Sequence, residues 1–317
     1  MPSQPPPDPD DRWPSFYLLG AEKAGTTSLY HYLRQHPDVF LPEEKEPGFF
    51  SLYWDIAVEP AKTVERTWGS LVDFDRFDGF EDALAVYRSL YQGAPADAER
   101  GDCTASYLWH PRTPERIETL TPEARFLVLV RDPVERAFSH YLMVRRAGAE
   151  ERAFLDALER DLEREGTEEA PHRYLLSGRY TEQIERYTDR FGSENVHVVF
   201  TERMAKSTDA VLHDVARFLG LPTRPIDRMD TGERHNPYRE PANALADWLR
   251  TNDTIKSLAQ ALLPKSVRDV LGNEVLMRAE DRPTMSDEAR AFLEDHYAEE
   301  PESLEDLIGK RPPWSWA

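Results

Sequence analysis

Phe16-Tyr17-Leu18-Leu19-Gly20-Ala21-Glu22-Lys23-Ala24-Gly25-Thr26-Thr27-Ser28-Leu29 reads as an apolar strand, a turn of small residues and the opening of a helix. That arrangement cradles phosphate. The triphosphate-binding pattern is G-x-x-x-x-G-K-[ST]. Gly20 and Gly25 keep its spacing and Thr27 keeps its hydroxyl, but the lysine has left the position now held by Thr26 and sits inside the loop, as Lys23. In the parent pattern that lysine reaches the β/γ-phosphates, so its displacement points to an anion with a different reacting group. The loop amides and the helix N-terminus still favour negative charge.

About a hundred residues downstream lies Arg125-Phe126-Leu127-Val128-Leu129-Val130-Arg131-Asp132-Pro133-Val134-Glu135-Arg136-Ala137-Phe138-Ser139-His140-Tyr141. The unbroken apolar run 126–130 has the flat pattern of a strand buried on both faces. Asp132 suits an N-cap and Pro133 the first helical position, so a helix begins at once. Arg131 therefore stands at the carboxyl end of a strand, where open α/β sheets bind ligands, and Ser139 lies two turns along the helix. Further strands are expected at 15–19, 39–41 and 196–200, with helices at 27–35, 114–120, 133–146, 152–164, 181–191 and 208–219. Strands separated by helices imply an α/β fold, a P-loop-like domain with a central parallel sheet flanked by helices. Two anion-binding segments that share one ligand favour a single domain over 14–317, preceded by a disordered Pro- and Asp-rich arm at 1–13. Residues 51–97 read as an irregular insertion with one helix near 80–91.

Composition narrows the partners. The 317 residues carry a formal charge of −20, with 39 basic against 59 acidic side chains. That balance disfavours nucleic acid or an anionic membrane, and a cleft for an anion must concentrate its few cations locally. Only 7 of the 39 basic residues are lysine, which makes a lysine inside a phosphate loop less incidental. High-salt adaptation, or GC-rich coding with a solubilising surface, accounts for such acidity. No run of eighteen apolar residues and no basic-then-apolar opening occurs, so neither a transmembrane segment nor secretion is indicated. The single cysteine, Cys103, excludes an internal disulfide framework and fits a reducing cytoplasmic setting.

Together the two segments resemble the cofactor-binding signatures of sulfotransferases that use 3′-phosphoadenosine 5′-phosphosulfate, nearest in flavour to the carbohydrate branch with the heparan sulfate O-sulfotransferases and bacterial relatives. The first is similar to their 5′-phosphosulfate loop and the second to their 3′-phosphate motif, R-D-P-x-E-R-x-x-S. The likeness continues through His36-Pro37-Asp38-Val39, Tyr107, Gly178-Arg179-Tyr180 and the Trp-containing C-terminus. It implies that Lys23, Ala24, Gly25, Thr26, Thr27 and Ser28 hold the 5′-phosphosulfate, that Arg131 and Ser139 hold the 3′-phosphate, and that Tyr180 helps to seat the donor. Arg278 and Arg282 match loosely a basic loop that covers the donor; they read equally well as surface arginines. The reaction implied is transfer of a sulfuryl group to a hydroxyl, or less readily an amine, of a glycan, glycolipid or small-molecule acceptor.

Such transfer needs a cation at the leaving group, a base for the acceptor proton and an in-line arrangement. Lys23 is the candidate cation. Glu46, in Leu41-Pro42-Glu43-Glu44-Lys45-Glu46-Pro47-Gly48-Phe49-Phe50, aligns with the glutamate of the branch's E-x-H-F-F segment, thought to deprotonate the acceptor. A solvated acidic turn is the plainer reading. Lys45 either reaches a sulfuryl oxygen or pairs with Glu46. Two departures stand out: Gly48 replaces the histidine, and Cys103 in Gly101-Asp102-Cys103-Thr104-Ala105-Ser106-Tyr107 replaces an active-site lysine. Asp102 becomes a second acid candidate, and Cys103 reads as a buried structural thiol, with no evident basic partner to activate it. The aromatics Tyr53, Trp54, Trp68, Phe74 and Phe77 either stack on sugar rings or belong to the core. No metal-ligand spacing is evident, and the strand at Val130 ends in Arg131 rather than in the acid that would hold Mg²⁺. Two other functions compete: a small-molecule kinase with a rearranged phosphate loop, and a binding protein that keeps the fold without turnover.

Overall fold

In the computed structural model, residues 13–54, 79–164, 173–231, 239–241, 277–279 and 283–317 are described. The apolar runs form the strands they announce: β1 (Phe16–Gly20), β2 (Val39–Phe40), β4 (Arg125–Val130) and β5 (Val196–Phe200), with β3 (Glu99–Thr104) between them in sequence. All pair in parallel in the order β2-β3-β1-β4-β5. The chain moves outward from β1 to β2, returns to β3, then crosses to β4, so strand order reverses at β1. The carboxyl ends of β1, β3 and β4 form the crevice where such sheets take ligands. Phe126–Val130 are fully buried, as their unbroken apolarity requires.

β3 is the strand that periodicity misses. Its sequence, Glu-Arg-Gly-Asp-Cys-Thr, has little β-propensity and no alternation. Two apolar neighbours hold it in place. Gly101 leaves room for Phe16 and Leu41, whose atoms would lie 2.3 and 2.6 Å from a β-carbon there. The helices follow expectation to within a residue or two: α1 (Thr26–Leu33), α2 (Phe80–Ser89), α4 (Thr113–Leu120) after the short α3 (Ser106–Trp109), α5 (Pro133–Arg146), α6 (Phe154–Glu163), α7 (Tyr180–Phe191), and α8 (Thr201–Lys206) with α9 (Thr208–Leu219). Gly220, at φ 72°, closes α9 in the left-handed conformation that glycine supplies.

The chain groups into two compact units. The first, Met1–Pro133 with Ser177–Glu233 and Tyr297–Ala317, contains the whole parallel sheet. The second, Val134–Leu176 with Arg234–His296, packs Phe138, Tyr141 and Phe154 with ring centroids 4.8–6.3 Å apart. It also pairs Arg290 of α10 (Asp287–His296) with Glu135 at 2.8 Å. A two-stranded antiparallel ribbon, β6 (Arg239–Pro241) with β7 (Met277–Ala279), belongs to this second unit. A last helix, α11 (Glu300–Ile308), returns the chain to the first.

Candidate active site

The loop from Gly20 to Thr26 turns sharply because two of its residues take left-handed backbone, Lys23 at φ 70° and Gly25 at φ 93°. Left-handed backbone suits glycine and is strained for lysine, so neighbours must hold the turn. Ala21 N–H donates to Leu129 O at 2.7 Å and Ala24 N–H to Ala21 O at 3.0 Å. Thr201 Oγ1 donates to Ala24 O, and Val130 O lies 2.9 Å from the same hydroxyl. Gly20 admits the return of the chain, since a β-carbon there would stand 2.4 Å from Thr26 Cγ2. Helix α1 then begins with no side-chain cap and no acid in its first turn. Ser28 N–H donates to Gly25 O at 3.0 Å, while the amides before it have no carbonyl of the helix to meet. An anion is the group that suits this end.

Arg131 comes to that loop from the neighbouring strand. Its Nη1 donates to Lys23 O at 3.3 Å, which joins two residues 108 apart in sequence. The turn that carries it is braced from three directions. Tyr180 Oη donates to Arg131 O at 2.8 Å, Asp132 N–H donates to Glu202 Oε1 at 2.8 Å, and Trp316 Nε1 donates to Asp132 Oδ2 at 3.1 Å. Burial pushes the Glu202 carboxyl above its ordinary range, against the bond from Asp132 N–H.

The acidic segment after β2 reaches the same crevice although β2 lies at the sheet edge, two strands from β1. Glu46 takes left-handed backbone, φ 62°. It is clamped to the end of β3 by Glu46 N–H to Cys103 O at 3.0 Å and Ala105 N–H to Glu46 Oε2 at 2.6 Å. Lys45 Nζ donates to Glu46 Oε1, and to Thr26 Oγ1 at 3.4 Å. Thus a carboxylate, an ammonium and the first residue of α1 stand together.

The protein-family model described as "Sulfotransferase family" matches residues 14–225. The chain belongs to the sulfotransferase family. A solved sulfotransferase from Alicyclobacillus acidocaldarius superposes with a TM-score of 0.67 at 27% identity, over 96% of this chain and 99% of that one. Among curated relatives, the human bifunctional heparan sulfate N-deacetylase/N-sulfotransferase 3 is 24% identical over 96% of this chain and 31% of its own length. The human heparan sulfate glucosamine 3-O-sulfotransferase 6 is 32% identical over 41% of this chain and 30% of its own. The chain spans less than a third of the length of the first curated relatives it matches.

Within this sulfotransferase-family chain, several expected site residues take different parts. Asp102 is fully buried and accepts hydrogen bonds from Thr104 Oγ1 at 2.6 Å, Tyr87 Oη at 2.7 Å and Tyr107 Oη at 3.0 Å. Burial pushes its carboxyl up to about 6, against the opposing effect of those hydroxyls. A carboxyl with no exposed surface and three donors on it cannot meet an acceptor; Asp102 organises the end of β3 instead. Tyr180 is also fully buried, and it supports Arg131 from behind rather than lining a donor site. Ala24 uses its N–H and its carbonyl within the fold, and Ser28 N–H is taken by Gly25 O. Cys103 is buried, and burial pushes its thiol well up, as a structural thiol requires.

Trp54 packs on Phe50 and Phe80 with centroids 5.9 and 4.8 Å away, so it belongs to the core; Trp68, Phe74 and Phe77 lie outside the described residues. Gly48, at φ 69°, occupies left-handed backbone that a histidine would adopt only under strain. Thr27 and Ser28 are half-buried on the first turn of α1. Ser139 is half-buried on α5 and belongs to the second unit. Arg278 lies on β7, paired with Glu240, and Arg282 lies outside the described residues. Sequence reading missed Thr201 and Glu202, whose signal was their place directly after β5, beside β4; it included Trp316 in the C-terminal stretch of the resemblance without foreseeing its bond to Asp132.

Proposed function

We propose that the protein transfers a sulfuryl group from 3′-phosphoadenosine 5′-phosphosulfate to a hydroxyl, or less readily an amine, of a glycan, glycolipid or small-molecule acceptor. The observation that carries this reading is the bond from Arg131 to the carbonyl of Lys23. It brings a guanidinium from the end of β4 onto an anion loop that includes a lysine of its own, so that one ligand with two anionic ends is served by both. The donor has such ends. Its 5′-phosphosulfate suits the start of α1 without a side-chain cap, with the amides of Gly25, Thr26 and Thr27, the Ser28 hydroxyl and the Lys23 ammonium. Its 3′-phosphate suits Arg131.

In the transfer the acceptor oxygen forms a bond to sulfur as the bond from sulfur to the phosphate oxygen breaks. The electron pair leaves with the phosphate, which Lys23 neutralises. The acceptor proton passes to Glu46, whose backbone is fixed by Cys103 O and whose Oε2 is fixed by Ala105 N–H. Among the described residues no group of three or more His, Cys, Asp or Glu gathers as for a metal ion. Among them, too, no helix is long and apolar enough to cross a membrane. A lone buried thiol suits a reducing compartment, and we assign the protein to the cytoplasm on that ground.

Calorimetry with adenosine 3′,5′-bisphosphate against ATP–Mg²⁺ tests the reading. Binding of the bisphosphate, followed by transfer of labelled sulfate from the donor to a panel of acceptors, supports it. Tight ATP binding with none of the bisphosphate overturns it in favour of a kinase.

A further inference from the structure

Lys45 is one of only 7 lysines in a chain with 39 basic residues, and its ammonium stands where three elements converge. It lies on the loop after β2, next to Glu46. It reaches Thr26 Oγ1, on the first residue of α1, at 3.4 Å and Glu46 Oε1 more closely. Its charge is also felt at Cys103, at the end of β3, where it opposes the burial that pushes the thiol up. The side chain is mostly buried, with 17% of its surface exposed against 24% for Glu46. A mostly buried ammonium is costly unless its donors are used. An ammonium has three N–H donors, and among the described residues two have acceptors, the Thr26 contact being a long one. The third is left over, beside the helix end that lacks both a cap and an acid.

The position is held from the backbone. Glu46 N–H to Cys103 O and Ala105 N–H to Glu46 Oε2 pin the next residue in left-handed backbone. Lys45 is thereby carried toward the anion loop rather than out to solvent, as are the exposed Glu43 and Glu44 before it. Lys23 is set differently, inside the turn itself. The two lysines thus stand on different segments: Lys23 in the phosphate loop, Lys45 beside the acid and against the first residue of α1.

We propose that Lys45 is a further catalytic residue of the sulfuryl transfer, its ammonium donating to an oxygen of the sulfuryl group itself while Lys23 serves the leaving phosphate. This rests on the sulfotransferase reading above and adds to it the division of labour between the two cations. Lys45 stays protonated throughout. It neutralises charge on the sulfuryl oxygens as the acceptor oxygen closes on sulfur, and it keeps the carboxylate of Glu46 beside that oxygen. No other residue is asked to change its protonation for this.

The donor and its desulfated product differ by the group in question, and that difference makes the test. Calorimetry measures binding of 3′-phosphoadenosine 5′-phosphosulfate and of adenosine 3′,5′-bisphosphate, without acceptor, to the wild type, Lys45→Gln and Lys45→Arg. Loss of a charge-assisted hydrogen bond weakens binding by roughly tenfold to a hundredfold. The expectation is that Lys45→Gln loses that factor for the donor and keeps bisphosphate affinity within about twofold, which also reports an intact fold. Lys45→Arg, which keeps the charge, recovers most of the donor affinity. Equal losses for both ligands, or an unchanged preference for the donor, would overturn the assignment while leaving the sulfotransferase reading in place. A wild type that binds neither ligand would sink that reading, and this one with it.

Discussion

Replacing Asp102 with asparagine separates the two acids of the crevice by a property that activity alone does not report. Asp102 is fully buried, and burial lifts its carboxyl from an ordinary 3.8 to about 6 despite three hydroxyl donors. The native state therefore holds a proton that the unfolded chain has released across that interval. Stability credited to Asp102 is complete only below about pH 3, falls as pH rises from about 4 through about 6, and is flat above about 7. At about 1.36 kcal/mol for each tenfold change in proton affinity, the fall amounts to about 3 kcal/mol. Asparagine has the shape of the protonated acid and does not titrate. Its mismatch with the hydroxyl donors adds a cost that does not vary with pH, so only the pH-dependent part is read.

The assay is urea denaturation of wild type and Asp102→Asn at half-unit steps from pH 4 to 8. The expected result is that the difference in unfolding free energy moves in favour of the variant by roughly 2.4 kcal/mol between pH 4 and 7. A difference that is constant with pH, or that moves the other way, would refute the argument, because it would mean that the hydroxyls outweigh desolvation. Turnover supplies a second arm. Removal of a general base costs roughly a hundredfold or more, so a loss of that size in a variant of undiminished stability would return Asp102 to the chemistry.

Glu46→Gln keeps the shape that Ala105 N–H holds and removes the base. Turnover should fall by roughly a hundred- to ten-thousandfold, with bisphosphate affinity within about twofold by calorimetry; near-normal turnover would move the base elsewhere. Lys23→Ala should lower transfer by roughly a hundredfold or more through lost stabilisation of the leaving phosphate. Arg131→Ala should act mainly on affinity, weakening adenosine 3′,5′-bisphosphate by roughly tenfold to a hundredfold while barely changing adenosine 5′-phosphate; equal losses for the two nucleotides would place Arg131 away from the 3′-phosphate. Gly101→Ala, whose β-carbon would press on Phe16 and Leu41, should destabilise the protein by about 1–3 kcal/mol in the same denaturation assay. An unchanged midpoint would show that β3 can move aside.

What can be read along the chain is what depends on near neighbours. The apolar run of β4, the glycine spacing of the first loop, Pro133 after Arg131 and Gly220 after α9 each act over a few residues through dihedral limits or burial pattern. They sufficed to place the two signature segments, and with them the family. The sulfotransferase resemblance was legible because its signatures are contiguous strand–turn–helix stretches, each written in a short run of sequence.

What remained for the tertiary structure was every role set by residues distant in sequence. Glu-Arg-Gly-Asp-Cys-Thr becomes a strand only because Phe16 and Leu41 close over Gly101. Asp102 loses its apparent place as a base once Tyr87, Thr104 and Tyr107 enclose it, and Tyr180 becomes a support because its hydroxyl meets Arg131 O. Thr201 braces the first loop from the end of the neighbouring strand β5, and Trp316 braces the Arg131–Asp132 turn from the last residues of the chain. Burial and hydrogen-bond partnership are properties of a neighbourhood, and periodicity carries no record of a neighbour a hundred residues away.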